Sequence, residues 1–185
     1  MHPATRKLFP NYPDEARIEA FYAALGKAIS WWNLVETHLY LIAEASTRPQ
    51  IPGAFAAGFH AVQTFQMKLV ITDMAVRFRL LDHNRPELLK SWEQLFEKAR
   101  DKAIRRNHFA HFSMEVRLLE KTESKRIKLV PLFYDARYTD GIKNNVEYGV
   151  SEILEIAKSF SKLSNELSEF VPHLGRLPLL PPTSS

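Results

Sequence analysis

Apolar side chains recur every three and four residues through most of this chain, and through one central stretch they alternate instead. The first periodic run starts after Asp14, a helix-capping residue, and continues to about Ser46 through Ile18, Phe21, Leu25, Ile29, Trp32, Leu39 and Ala43. Arg48-Pro49-Gln50-Ile51-Pro52 breaks it. A second helix is predicted from about Pro52 to Leu81, with two stripes: Phe55, Phe59, Val62, Leu69 and Val76, then Met67, Val70, Met74, Phe78 and Leu81. Its polar residues fall mainly along Thr64, Lys68, Thr72 and Arg79. A helix apolar on most sides is either central in its bundle or covers a second surface, such as a dimer interface.

Asp82-His83-Asn84-Arg85-Pro86 forms the next turn. A third helix runs from Pro86 to about Ala110 or Phe112 through Leu88, Trp92, Leu95, Phe96, Ala99, Ala103 and Ala110. The period then changes to two at Met114, Val116 and Leu118, and again at Ile127 and Leu129, with Pro131 and Phe133 less regular. A β-hairpin is predicted over about 113–134, with the charged stretch Lys121–Arg126 as its turn. Asp140-Gly141 reads as a loop and Val146-Glu147-Tyr148 as a candidate third strand. Ser151 reads as the cap of a last helix carrying Ile153, Leu154, Ala157, Phe160, Leu163, Leu167 and Phe170, which Pro172 ends.

The fold class is therefore mainly α: about four long helices, with a β-hairpin (three short strands at most) inserted between the third and the last. An N-terminal arm at 1–13, one helical domain at 14–172 and a disordered tail at 173–185 are expected. A length of 185 residues suits one domain, and 45% apolar with 25% charged residues is ordinary globular composition. With no cysteine, disulfides, thiol catalysis and thiolate zinc sites are excluded. No signal peptide follows Met1, and Lys27, Glu36, His38 and Glu44 interrupt the most apolar stretch, so a cytoplasmic protein with no membrane partner is expected. The net charge of +4 permits an anionic partner without demanding one.

Two charges stand where the stripes predict core. At about 100° per residue, the third helix should bury position 106 and the first should bury position 36; these are Arg106 and Glu36. Arg and Glu are rarely buried unless paired, so the two are expected to meet or to line one cleft. A purely structural account stays open beside this one, with Arg106 lying along apolar surface and its head group in water. Asn107 and His111 stand at i and i+4, where the amide can orient the imidazole, while Arg106 and His111 point about 140° apart unless the helix loosens after Ala110. Arg100, Lys102 and Arg105, with Phe109 and Phe112 among them, make this helix end basic and stackable, which suits phosphate and base contacts. His108 is expected on the solvent face. His38, His60, His83 and His173 show no metal-ligand spacing, and no metal or cofactor is expected.

The run Arg106-Asn107-His108-Phe109-Ala110-His111 resembles the R-N-x-x-x-H signature of HEPN domains, the higher eukaryote and prokaryote nucleotide-binding superfamily. Trp32…Glu36…Leu39 is similar to the W-x-x-x-E-x-x-L run in the first helix of several bacterial HEPN-like proteins. The resemblance spans roughly residues 15–170, with motif-level identity confined to these two runs, and the hairpin departs from a bare helical bundle. It implies a HEPN-like bundle and a metal-independent endoribonuclease, with Arg106 and His111 as the catalytic pair, Asn107 positioning and Glu36 supporting. Arg100, Lys102, Arg105 and His108 would bind RNA. A homodimer with two motifs facing one cleft, a role in a toxin–antitoxin or antiphage system, and an antitoxin or nucleotidyltransferase partner are further implications. The same fold also serves as a non-catalytic RNA-binding, nucleotide-binding or assembly module, and a plain interaction protein is the third alternative.

Overall fold

The computed structural model describes residues 15–118, 125–131 and 146–178. The N-terminal arm, the hairpin turn, the Asp140-Gly141 loop and the end of the tail lie outside the described residues. Within them the protein is mainly α. In chain order come α1 (Glu15–Thr47), α2 (Pro52–Ala61), α3 (Phe65–Asp82), α4 (Pro86–His111), β1 (Ser113–Leu118), β2 (Lys125–Val130) and α5 (Val150–Gly175).

Contacts divide the chain into two compact units. One takes the described residues of Met1–Ser30 and Arg105–Lys158, the other those of Trp31–Ile104 and Ser159–Ser185.

Among its described residues the second unit is built of helices and their short connections. It buries Trp32, Val35, Leu39 and Ile42 of α1, Leu69, Val76 and Leu80 of α3, Trp92, Leu95 and Ala99 of α4, and Phe160, Leu163 and Leu167 of α5. Each buried indole also needs an acceptor for its N–H. Trp32 Nε1 donates to Glu36 Oε1 at 3.0 Å, and Trp92 Nε1 donates to Asp73 Oδ1 at 2.9 Å. Each of those carboxylates is in turn held by a cation. Lys68 Nζ lies 2.8 Å from Glu36, and Arg77 Nε lies 2.9 Å from Asp73.

The single helix expected over Pro52–Leu81 is two helices. The apolar spacing runs on across the break, but Val62 adopts extended backbone and Thr64 caps a new helix, accepting from the Met67 N–H at 3.3 Å. The polar strip of that stretch is not all solvated either, since Thr72 and Arg79 are buried. Thr72 donates to the Leu39 carbonyl, and Arg79 Nη2 donates to the carbonyls of Leu177 and Pro178 at 2.9 and 2.7 Å. Arg48, in the left-handed region at φ 44° just after α1, donates to the Gly175 and Leu177 carbonyls. Two guanidinium groups thus supply donors to the last residue of α5 and to carbonyls just beyond it, which have no helical N–H ahead of them. Pro172 does not end α5; the helix continues to Gly175.

In the first unit, β1 and β2 pair antiparallel from Ser113↔Val130 to Leu118↔Lys125. Lys125 and Arg126, expected in the turn, belong to β2. The candidate third strand is a single antiparallel bridge, in which Leu129 and Tyr148 exchange N–H···O bonds of 2.8 and 3.0 Å. Val150, not Ser151, opens α5, and Glu152 Oε2 accepts from the Gly149 N–H at 3.0 Å, the return half of a capping box. Buried here are Phe21, Ala24 and Ala28 of α1, Phe109, Phe112, Leu129, Tyr148, Ile153 and Ala157. Ile29, expected in the α1 stripe, is exposed, and Ala28 takes the inward position.

Candidate functional site

The motif occupies the last six residues of α4, which stays helical through His111. Phe109 and Phe112 are buried and anchor this end of the helix. Ala110, expected inward, is exposed. Arg106 and His111 are half-buried and Asn107 is exposed.

The helix does not loosen to bring Arg106 toward His111. Instead the arginine side chain bends, and its Nη1 donates to Asn107 Oδ1 at 3.4 Å. Asn107 and His111 stand about 40° apart around the helix, so the guanidinium leans toward the face that carries the imidazole.

His108 differs from its expected place in solvent. Its ring stacks on Phe112 with centroids 4.5 Å apart and planes 12° apart, and its Nδ1 lies 2.7 Å from the Tyr148 hydroxyl oxygen. Tyr148 is buried, with its ring edge-on to Phe109 at 5.6 Å and the Arg105 guanidinium 6.0 Å from its centroid. Burial holds the His108 imidazole below the usual histidine range, and the Arg105 charge pushes the same way. Burial raises the Tyr148 phenol, and Arg105 opposes that rise. His108 is therefore a fixed, largely neutral imidazole at neutral pH. The Leu129↔Tyr148 bridge is what brings this tyrosine to α4. The sequence signal that could have found it is weak: one aromatic residue in a short apolar run, forty residues beyond its partner.

Arg105 also lines an open cleft of about 580 Å³ with Tyr148, Glu147, Ser151, Glu152 and Glu155. Lys128 pairs with Glu147 and Lys158 with Glu155, while Glu152 accepts a hydrogen bond from the Gly149 N–H. A polyanion nonetheless gains little from that rim.

The remaining predicted residues fall in the other unit. Arg100 is exposed and shares its charge with Glu97 and Asp101, so it adds less positive potential than a count of arginines suggests. Lys102 is half-buried. Glu36 holds Trp32 and Lys68, with only 13% and 19% of the Lys68 and Glu36 side chains exposed. That unit has its own histidine link, which the sequence reading passed over: His38 Nδ1 lies 3.0 Å from the buried Ser164 Oγ. Burial lowers the His38 pKa, against a backbone hydrogen bond at Leu34 that raises it.

Among the described residues, no group of three or more His, Asp or Glu is placed to hold a metal ion, and no helix is long and apolar enough to cross a membrane. No protein-family model matches this chain, and no curated protein or solved structure matches it.

Proposed function

We propose that this chain is a metal-independent endoribonuclease of the HEPN type, acting as a toxin or defence enzyme. The observation that carries the reading is the Arg106–Asn107 hydrogen bond, which tips the guanidinium toward the face shared by Asn107 and His111.

RNA brings its own nucleophile. His111, when neutral, accepts the proton of the 2′-OH as that oxygen attacks the adjacent phosphorus. Arg106 pairs with the non-bridging oxygens and stabilises the charge that grows on them in the transition state. Asn107 orients the ring and the guanidinium. The P–O5′ bond breaks and the leaving oxygen takes a proton, which a second imidazole supplies when two copies present their motifs to one cleft. The products carry 2′,3′-cyclic phosphate and 5′-hydroxyl ends.

End-group analysis of cleaved RNA tests this. Ends that polynucleotide kinase labels without prior phosphatase treatment agree with the reading; 5′-phosphate ends contradict it. A second reading, a non-catalytic binding or assembly module, draws on the neutralisation of Arg100 by Glu97 and Asp101. It requires His111→Ala to leave RNA affinity and every cellular effect of the protein unchanged.

A further inference from the structure

The register of the hairpin sets two arginines opposite each other. Arg117 of β1 pairs with Arg126 of β2, one rung of the same face beyond the Glu115↔Lys128 pair. Residues directly opposite in an antiparallel pair have Cβ atoms about 5 Å apart, and like charges there cost stability. The strands alternate faces, and the face of Met114, Val116, Ile127 and Leu129 is the inner one, with Leu129 buried. Ser113, Glu115, Arg117, Arg126, Lys128 and Val130 hold the outer face, on which Glu115 is exposed. That face carries three cations and one carboxylate, and Lys128 already holds Glu147 at 3.2 Å. Glu115 can offset one charge of the arginine rung, not both.

The rung lies close to the motif along the chain. β1 starts two residues after His111, and the six residues from His111 to Arg117 span at most about 21 Å. Lys128 also lines an open cleft of about 520 Å³ with Arg17 of α1, so cations continue from the strands to the body of this unit. One carboxylate enters that cleft, Glu152, and it accepts from the Gly149 N–H. The cleft beside Arg105 carries three carboxylates instead. A polyanion leaving the motif is therefore drawn along the hairpin and not toward Arg105.

We infer that the outer face of the hairpin grips the phosphate backbone of single-stranded RNA running from the motif, with Arg117 and Arg126 as the paired contacts. The grip rests on the ribonuclease reading for the identity of the polyanion. A guanidinium takes two phosphate oxygens at once, and a phosphate between two guanidinium groups offsets the repulsion that the register imposes. Contacts of this kind position a strand without reading its sequence, so the hairpin favours longer RNA over the nucleotides at the scissile bond alone. An acidic protein would also satisfy the rung, but its closeness to Arg106 and His111 favours the strand that those residues hold.

The test reads binding apart from cleavage: the affinity and salt dependence of a labelled mixed-sequence single-stranded RNA in EDTA, with His111→Ala throughout. Arg117→Glu turns the like-charged rung into an attractive one, so the melting temperature should stay level or rise. RNA affinity is expected to fall by roughly tenfold at low salt, and the slope of log K against log salt to shrink by about 1.4, the share of two single-strand phosphate contacts. Lys158→Glu makes the same change of net charge on α5 and should leave both quantities near those of the parent. Equal effects of the two variants overturn the proposal. So does a loss that comes with a lower melting temperature, because the arginine then supports the fold and not a ligand. A parent chain that holds no RNA overturns it too, and leaves the rung to an acidic protein. RNA held through the rung by a wild-type chain that cuts nothing keeps the grip and removes the ribonuclease reading. Cleavage by wild type, with binding indifferent to Arg117→Glu, does the reverse.

Discussion

His108 Nδ1 stands 2.7 Å from the Tyr148 hydroxyl oxygen, so a position inside the Arg106–His111 run is tied to a residue forty places further along the chain. The tie fixes both the ring and the end of α4 that carries Arg106, Asn107 and His111. Removing the hydroxyl with Tyr148→Phe is expected to cost about 1 kcal/mol of stability, since His108 then loses a partner in a half-buried place. Urea unfolding of the two proteins checks this, and an unchanged midpoint would show that the bond contributes nothing.

His108 also contributes to a pH dependence, together with His38. His108 and His38 both have folded pKa values below the ordinary 6.5, chiefly through burial. Between that value and the lower folded one, the unfolded chain binds more protons, so stability falls as pH falls. The contribution is complete above 6.5 and is lost progressively on acidification. His108→Gln removes one of the two groups. Its stability deficit relative to wild type should therefore shrink between about pH 7.5 and about pH 5. A deficit that grows on acidification would mean that His108 gains, not loses, from protonation in the folded state.

Glu36 and Lys68 form a largely buried ion pair, with Trp32 as a third member. A double-mutant cycle of Glu36→Gln and Lys68→Met should give a coupling of about 1–2 kcal/mol, with either single change costing more than the coupled share of the double. Additive losses would reduce the pair to an incidental contact.

Arg79 supplies donors to two carbonyls beyond α5 from a buried position. Arg79→Met keeps most of the volume and leaves those carbonyls dependent on Arg48 and water. A loss of about 2–3 kcal/mol is expected, read as the shift in the denaturant midpoint at constant slope. Arg79→Lys should recover only part of it, because an ammonium cannot reproduce the planar fork.

How far the fold could be read from the sequence differs from element to element. α1, α4 and α5 declared themselves because each keeps a single apolar stripe between recognisable ends: Pro49 after α1, Pro86 before α4 and the first-turn Glu152 of α5. The break between α2 and α3 was hidden because apolar spacing continues through Val62 and neither Gly nor Pro marks the gap; Thr64 as a cap was the one signal. Arg79 read as surface because nothing local reveals that carbonyls almost a hundred residues away need a donor. The motif could be read as a motif, and its arginine and histidine are half-buried at the end of α4. The anchoring of its inner histidine could not be read, since it depends on a strand bridge formed by a residue outside any periodic element.

Cleavage of a mixed RNA pool in excess EDTA, by wild type, Arg106→Ala and His111→Ala at equal folded concentration, tests the central claim most directly. The account expects cleavage by wild type alone, with both variants reduced at least a hundredfold while their helix content is unchanged. Cleavage that needs added metal, or that survives in both variants, would contradict it.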